Sequence, residues 1–593
     1  MTPQRNTARR EGASWAILWP ILCHRPRRAR EAPHDSKAAE LAIAVEARRR
    51  DSARRSLSDT SAFASPALAD DGGGKPPPVR SALLPLWAAV PVASGAGVVL
   101  DAGFPDRGMW PLAFVGIGFI LLVLIGRRVG GALLVGIVAG GSFYLAHIQW
   151  ASLFLGPLPM SALVALQALL FAAGCVAITL AYRWVPRAWP AARPLLPVTI
   201  AGLWTLRELV ASSWPYGGFS WGRVAMSQSD SPIKELFPWV GVSGVSFLMV
   251  LLVAFVINAL RMTELSPVRR VTAPLLVASA LVAMPAWSVQ AVGTMRVAAV
   301  QGNGPAGYFD ERGPDDLLAA QYAASLSLFG EDLDAVVWPE GSTDRSPLED
   351  ASTAAVFDHI SAEVGAPLIG WGITEREGIT YNTQILWAAG RGALDLYDKK
   401  HPVPFGEYIP DREFWRPFAP DLIDLVQRDY TPGSTDPIFE IGGVPVGINI
   451  CFDIVDDQVL RDSALKGAQV IFAASNNADF GRTDQSEQQL AIARIRAMEL
   501  GRSVVNVSTV GLTAIIAPDG RVVQQLPWYS PGNLVADVSL VETLTPAAII
   551  GRALEGMVAG TGMGSLLAAR LWRSPHNCSR SRSSGGYRED CPP

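Results

Sequence analysis

The chain has 593 residues and a net charge of -4, and only 18% of its residues are charged while 49% are hydrophobic. Its mean hydropathy of +0.24 is too high for an ordinary soluble enzyme and indicates a membrane protein. Nothing in the charge balance indicates nucleic-acid binding, and the five cysteines lack the spacing of a disulfide framework or a metal site.

The two ends of the chain are polar. Residues 1–80 are rich in Arg, Ala, Ser and Pro without sustained periodicity, which predicts a disordered cytoplasmic extension. The apolar run 15–22 within it is broken by Pro20 and is too short for a signal peptide. The tail 573–593 is rich in Ser and Arg and is also predicted to be disordered.

Residues 81–292 contain apolar runs of bilayer-spanning length, which predict a polytopic α-helical membrane bundle. Arginines crowd the loops after the second, fourth and sixth runs and are sparse in the other loops. Because positively charged loops stay in the cytoplasm, seven spans that start inside place everything after residue 292 outside the cytoplasm. The predicted spans are 81–100, 109–126, 130–148, 159–182, 194–211, 238–260 and 272–291.

Two features of the bundle allow more than one interpretation. Arg207 and Glu208 are adjacent ionisable residues at membrane depth, which indicates a structural ion pair or a functional site that faces the bundle interior. The loop from Trp214 to Trp221 combines aromatic residues with turn formers. This composition is typical of an aromatic belt at the outer interface, or of the lining of a lipid entry path.

The segment 293–542 alternates short apolar strands with helical patterns and predicts an α/β domain. Within the following segment, 545–572, residues 547–572 are long enough for an eighth span, although Arg552, Glu555 and several glycines weaken the pattern. The predicted fold class is therefore a membrane bundle of seven or eight spans followed by an extracytoplasmic α/β domain.

Three residues of the α/β domain suit a thiol nucleophile. Cys451 follows the buried-strand pattern 444–450, so its side chain can emerge at a sheet edge. A thiol attacks only as the thiolate, which requires a base and a nearby cation. Glu340, at the end of an apolar strand, can accept the proton, and Lys399 can supply the positive charge. Taken singly, each of these residues also suits a structural role.

The motifs around these residues resemble those of the nitrilase superfamily, which implies an α/β/β/α sandwich. Combined with the preceding bundle, they resemble the family of apolipoprotein N-acyltransferases over about residues 81–545. The resemblance rests on Val337-Trp-Pro-Glu-Gly341, Tyr381-Asn-Thr383, the element 397–410 with its Val-Pro-Phe-Gly-Glu-Tyr core, Ile450-Cys-Phe-Asp453 and the block 475–502.

The resemblance also implies roles for single residues. Glu340 would be the general base, Cys451 the nucleophile, and Lys399 the cation that stabilises the tetrahedral oxyanion. Glu407 would be an accessory carboxylate that orients the site, with an outer structural role as the alternative. The backbone N–H of Phe452 would be a second oxyanion donor.

The reaction implied by the resemblance is a ping-pong acyl transfer at the cell membrane. A phosphatidylethanolamine-like phospholipid would acylate Cys451, and the amine of a diacylglyceryl-cysteine apolipoprotein would then take the acyl chain, with no metal or organic cofactor. Two alternatives stay open. The first is a membrane-tethered nitrilase-type amidase, in which water resolves the acyl-enzyme, and the second is a non-catalytic membrane scaffold.

Several positions depart from the family pattern. Phe452 and Asp453 stand where the family often has Tyr and Glu. Asn477 and Asp479 replace the Asp and the Trp of the family motif Ser-Asn-Asp-x-Trp-Phe-Gly. We therefore expect differences in how the chain recognises its acyl chain and acceptor.

Overall fold

The computed structural model describes residues 82–572, which form a helical bundle, a two-sheet sandwich and a final long helix. The segments 1–80 and 573–593 that are predicted to be disordered lie outside the described residues, as do Cys23, Cys578 and Cys591. The bundle helices are α1 Leu86–Asp101, α2 Pro111–Leu124, α3 Val129–His147, α4 Ser152–Leu155, α5 Pro157–Ala188, α6 Leu196–Ala211, α7 Phe237–Arg261 and α8 Pro267–Val282.

A helix lies at each of the seven predicted spans. Three of these bundle helices begin with a proline, at Pro111, Pro157 and Pro267, whose fixed φ and missing N–H suit the first helical position. α1 and α2 are short apolar helices, and the number of spans stays a prediction. Among residues 82–572, the helical stretches long and apolar enough to cross a membrane are Val129–His147, Pro157–Ala188, Arg193–Ala211 and Lys234–Arg261.

The seventh predicted span is too long at its carboxyl end. The prediction extends to residue 291, whereas α8 ends at Val282 and the first strand already begins at Ala291. Pro285 lies between them, and a proline lacks the N–H that would continue the helix. The apolar character of this segment therefore continues beyond its helical structure.

Arg207 and Glu208 form a buried pair, with 3.4 Å between Arg207 Nη2 and Glu208 Oε1. The same carboxylate oxygen accepts hydrogen bonds from Trp204 Nε1 at 2.9 Å and from the Val224 backbone N–H at 3.1 Å. The Arg207 guanidinium lies over the ring of Phe171, 4.7 Å from its centroid. These contacts tie α5, α6 and the α6–α7 loop together and favour the structural interpretation of the pair.

The two ends of the bundle differ in their loops. Consecutive helices run in opposite directions, so alternate loops lie at the same end. Arg193 in the α5–α6 loop lies 3.9 Å from Glu264 in the α7–α8 loop. Arg127 in the α2–α3 loop donates to the Leu84 carbonyl, just before α1, at 3.0 Å. The loops with most arginines therefore share one end, and the α6–α7 loop at the other end contacts the sandwich.

The sandwich consists of two six-stranded sheets, with strand orders β12-β1-β2-β3-β4-β5 and β11-β10-β9-β8-β7-β6. β1, β2 and β3 run parallel in the first sheet, and β7, β8 and β9 run parallel in the second, so the carboxyl ends of three strands meet at one edge of each sheet. The strands are β1 Ala291–Gln301, β2 Ala335–Val337, β3 Leu368–Arg376, β4 Ile379–Ala388, β5 Gly392–Asp398, β6 Ile438–Ile441, β7 Val444–Ile450, β8 Val470–Ser475, β9 Ser503–Ser508, β10 Ala514–Ile516, β11 Val522–Gln525 and β12 Gly532–Val541.

Helices cover both outer faces of the sandwich, which confirms the predicted α/β/β/α fold. The space between the sheets is filled by apolar side chains such as Val337, Ile369, Ile448 and Phe472. α9 and α10 pack on the first sheet, and α13 and α14 pack on the second, where the apolar core continues into the bundle. The remaining helices are α9 Asp316–Ser325, α10 Ala351–Val364, α11 Arg412–Trp415, α12 Pro420–Ile423, α13 Asp457–Leu465, α14 Asp484–Leu500 and α15 Pro546–Trp572.

The final helix, α15, packs into the bundle through a glycine contact. The backbones of Gly202 on α6 and Gly562 on α15 approach so closely that a Cβ on Gly562 would lie 2.4 Å from the Gly202 carbonyl carbon. Only a residue without a side chain allows this approach. α15 is therefore held against α6 whether or not it crosses the bilayer.

We expect Gly562→Leu to push α15 away from α6, because the new side chain has no room at this contact. Overpacking of this kind costs about 1–3 kcal/mol of folding free energy. Thermal unfolding of the detergent-solubilised protein should show a lower Tm than the wild type. Gly564→Leu is the matched control, since a Cβ there meets nothing within 4 Å. Equal Tm values for both variants would contradict the close contact.

Candidate active site

Strand ends bring the predicted residues together from both sheets. Glu340 follows β2, and Lys399 directly follows β5, so the first sheet supplies both. Cys451 directly follows β7 and Asn476 follows β8 in the second sheet. Because these four strands end at the same edge of the sandwich, residues far apart in sequence form one cluster.

Lys399 lies at the centre of this cluster and is only 1% exposed. Its ammonium is 3.3 Å from Glu340 Oε1 and 2.8 Å from Glu407 Oε2. Burial alone would lower the pKa of Lys399, but the charges of Glu340, Glu407 and Cys451 outweigh it and raise the pKa well above its ordinary value. The lysine therefore stays positively charged.

Besides Lys399, two donors hold Glu340 in place. Asn382 Nδ2 donates to Glu340 Oε1 at 2.7 Å, and the Asn476 backbone N–H donates to Oε2 at 3.0 Å. Trp371 Nε1 in turn donates to Asn382 Oδ1 at 2.7 Å, which fixes the orientation of the amide. The motif that contains Asn382 is recognisable in the sequence, but its contact with the carboxylate is not.

Glu407 lies in direct contact with the Lys399 ammonium. Besides Lys399, it contacts Asn382 Nδ2 at 2.8 Å through Oε1 and the Val403 backbone N–H at 2.7 Å through Oε2. Burial and the charge of Glu340 raise the pKa of Glu407, although Lys399 opposes the shift. Glu340 and Glu407 thus both contact the Lys399 ammonium and both accept a hydrogen bond from the Asn382 amide.

Cys451 occupies a turn that is unusual for its residue type. Its φ of +48° lies in the left-handed region, which non-glycine residues rarely adopt. Burial and the negative charge of Glu340 raise the pKa of the Cys451 thiol well above its ordinary value, while Lys399 lowers it. The Phe452 N–H lies in the first turn of the 3₁₀-helix Cys451–Val455, where that helix has no acceptor for it.

Asp453 connects the turn after Cys451 to the chain around Lys399. It is fully buried and accepts hydrogen bonds from Tyr397 Oη at 2.9 Å and from the His401 backbone N–H at 2.9 Å. Burial opposes the charged form of His401, but Asp453 and Asp456 outweigh this and raise its pKa. Asp453, which stands where the family often has Glu, therefore links the chain after β7 of the second sheet to the chain around β5 of the first.

Phe452 points toward the bundle. Its ring is stacked on that of Trp221 with 6.4 Å between centroids and an angle of 8°, and on that of Phe219 with 6.2 Å and 19°. Trp214, at the start of the same loop, is 61% exposed, whereas Trp221 is 4% exposed. The prediction of an aromatic belt is therefore wrong for Trp221, because the loop turns this residue inward against the site.

The described residues contain no group of three His, Cys, Asp or Glu side chains that could hold a metal ion. The two cysteines among them, Cys175 and Cys451, are free thiols.

Comparisons with known proteins identify the two parts of the chain. Residues 96–255 match the model of the apolipoprotein N-acyltransferase N-terminal domain, and residues 278–545 match the carbon-nitrogen hydrolase model. An apolipoprotein N-acyltransferase of Mycolicibacterium smegmatis is 31% identical, with 82% of this chain and 85% of the relative covered. The chain belongs to the apolipoprotein N-acyltransferase family.

A second relative and two solved structures are also similar to the chain. The relative from Pseudomonas putida is 28% identical, with 78% of this chain and 93% of the relative covered. Among solved structures, an amidase from Nesterenkonia sp. is 18% identical and covers 45% of this chain and 98% of its own length, with a TM-score of 0.33. Saccharomyces cerevisiae Nit3, of the nitrilase superfamily, is 17% identical and covers 45% of this chain and 96% of its own, with a TM-score of 0.32.

The departure from the family motif at Asn477 has a structural explanation. This residue is 3% exposed, and its Nδ2 donates to Gln485 Oε1 at 2.7 Å and to Gln489 Oε1 at 2.6 Å. Ser508 Oγ donates to Asn477 Oδ1 at 2.5 Å. An aspartate could not donate to two glutamine oxygens, so the amide is matched to this network behind the site.

We expect Glu340→Gln and Lys399→Met to shift the reactivity of Cys451 in opposite directions. Glu340 raises the pKa of the thiol, so Glu340→Gln should move its alkylation by iodoacetamide to lower pH. Lys399 lowers that pKa, so Lys399→Met should move alkylation to higher pH. The measurement is the rate of alkylation of the Cys451 peptide against pH, followed by mass spectrometry. Shifts of both variants in the same direction would contradict this electrostatic arrangement.

Proposed function

We propose that the chain transfers a fatty acyl chain from a membrane phospholipid to the amino-terminal amine of a diacylglyceryl apolipoprotein, through a thioester on Cys451. The observation that carries the proposal is the stacking of Phe452, next to the thiol, on Trp221 of the bundle. A nitrilase-type site is thereby connected to apolar helices, as an enzyme with two lipid-anchored substrates requires. The name shared by the relatives supports the same activity.

In the first half-reaction, Glu340 accepts the thiol proton and the Cys451 sulfur attacks the ester carbonyl carbon of the phospholipid. The oxyanion that forms is stabilised by the Lys399 ammonium and the Phe452 N–H. The C–O bond then breaks, and Glu340 returns the proton to the departing alkoxide. The products are a thioester on Cys451 and a lysophospholipid.

In the second half-reaction, the free amine of the acceptor attacks the thioester carbonyl carbon. Glu340 accepts a proton from the attacking amine, and the C–S bond breaks to release the amide. The proton returns to the sulfur, which restores the enzyme. Glu407 contacts Lys399, and the Asn382 amide donates to both Glu340 and Glu407, so the two residues together keep Glu340 and Lys399 in register throughout.

We further propose a multi-pass protein in the cell membrane with the sandwich outside the cytoplasm. The loops that carry most arginines share the end of the bundle opposite the sandwich, and positive loops stay in the cytoplasm. With this orientation, the thiol lies on the side of the membrane where lipid-modified secreted proteins are found.

The test is the intact mass of the purified protein after incubation with phosphatidylethanolamine. We expect a mass increase of one acyl group, which is lost when a diacylglyceryl-cysteine peptide is added. Cys451→Ala should show no increase. Cys175→Ala, which removes the buried thiol of α5, should behave as wild type.

Other outcomes distinguish the alternatives. An acyl group that persists in Cys451→Ala would contradict the thioester. Release of ammonia from small amides, without acylation by lipid, would favour the amidase, and no reaction with lipids or amides would favour the scaffold.

A further inference from the structure

A buried glutamine connects the sandwich to the bundle next to the active site. Gln488 on α14 is 3% exposed. Its Oε1 accepts hydrogen bonds from two indoles, Trp221 Nε1 at 2.7 Å and Trp150 Nε1 at 3.2 Å. Its Nε2 donates to the His147 carbonyl at 3.2 Å. These partners fix the amide orientation, since the reverse would set its NH₂ group against both indole N–H groups.

The bundle side of this contact is rigid. His147 is 1% exposed, its Nδ1 lies 3.1 Å from Asp101 Oδ1, and its ring is stacked on Phe143 at 5.0 Å. Trp150 Nε1 also donates to the His147 carbonyl at 3.1 Å. α1 and α3 therefore hold the group to which Gln488 is bonded.

The other side of the contact leads to the nucleophile. Trp221, oriented by its bond to Gln488, is stacked nearly parallel on Phe452. The backbone N–H of Phe452 is the proposed oxyanion donor, and the preceding Cys451 has a strained φ of +48°. A strained turn keeps its geometry only when its surroundings hold it. A shift of the Trp221 ring would remove one of the two rings on which Phe452 is stacked, and would loosen this N–H.

We propose that Gln488 is a positioning residue that acts through Trp221 to hold the Phe452 N–H in place for acyl transfer. This inference rests on the proposed thioester chemistry of Cys451. Gln488 touches neither the substrate nor the reacting atoms. Because Gln488 belongs to the sandwich and its partners belong to the bundle, the position of the Phe452 N–H depends on how the sandwich packs against the bundle.

The test separates oxyanion stabilisation from reactivity of the thiol. Acylation of Cys451 by phosphatidylethanolamine requires the oxyanion donor, whereas alkylation by iodoacetamide passes through no oxyanion. We expect Gln488→Leu to slow acylation about tenfold, as the loss of a buried hydrogen bond does. Alkylation at fixed pH should stay within about twofold of the wild type.

Trp221→Phe provides a second variant, because it keeps an aromatic ring beside Phe452 but removes the indole N–H together with the pyrrole ring that carries it. It should slow acylation to a similar degree, and it decides the question if Gln488→Leu does not fold. The double variant should be no slower than either single variant, because both remove the same bond. Arg494→Leu is the matched control. It breaks a contact of 2.6 Å between α14 and Asp230 of the bundle that does not lead to Phe452, so acylation should be unchanged.

Each other outcome overturns one specific claim. Unchanged acylation in Gln488→Leu, additive effects in the double variant, or an equal loss of acylation and alkylation would overturn the positioning role. An equal slowing in Arg494→Leu would do the same, because any loosened contact would then suffice. A wild-type protein that is alkylated but never acylated would instead contradict the proposed function.

Discussion

A buried positive charge is the constraint on which the rest of the site depends. The Lys399 ammonium is removed from water, and an unpaired charge there would be unstable. Glu340 and Glu407 neutralise it, and Asn382 holds both carboxylates. This fixed ion cluster leaves a cation beside the thiol and a carboxylate that can accept its proton, which are the two requirements of a thiolate nucleophile.

The second constraint comes from the contact between the sandwich and the bundle. The Cys451 turn is strained, and Phe452 beside it packs on aromatic rings that belong to the helical bundle. Asp453 ties the same turn to the segment around Lys399. The Cys451 turn is therefore held from the sandwich on one side and from the bundle on the other. A nitrilase-like sandwich would lack the second support in isolation.

The sequence predicts the parts of this arrangement that are local. Strand patterns and motif order identify Glu340, Lys399 and Cys451, and apolar runs locate the bundle helices. Contacts between distant segments are not readable in this way. The inward turn of Trp221 depends on the packing of a bundle loop against the sandwich, and the role of Asn382 depends on the register of β3 and β4. The end of α8 differs from its prediction because the apolar run of the sequence continues past Pro285, where the helix has already ended.

The central claim is that an acyl group on Cys451 lies between the Lys399 cation and the Phe452 N–H. A structure of the protein in lipid, trapped after reaction with phosphatidylethanolamine and without acceptor, tests it most directly. The account predicts a thioester carbonyl oxygen about 2.7–3.1 Å from the Phe452 N–H and directed at Lys399 Nζ, with Phe452 still stacked on Trp221. A carbonyl oxygen that points away from both groups, or an acyl group on another residue, would contradict it.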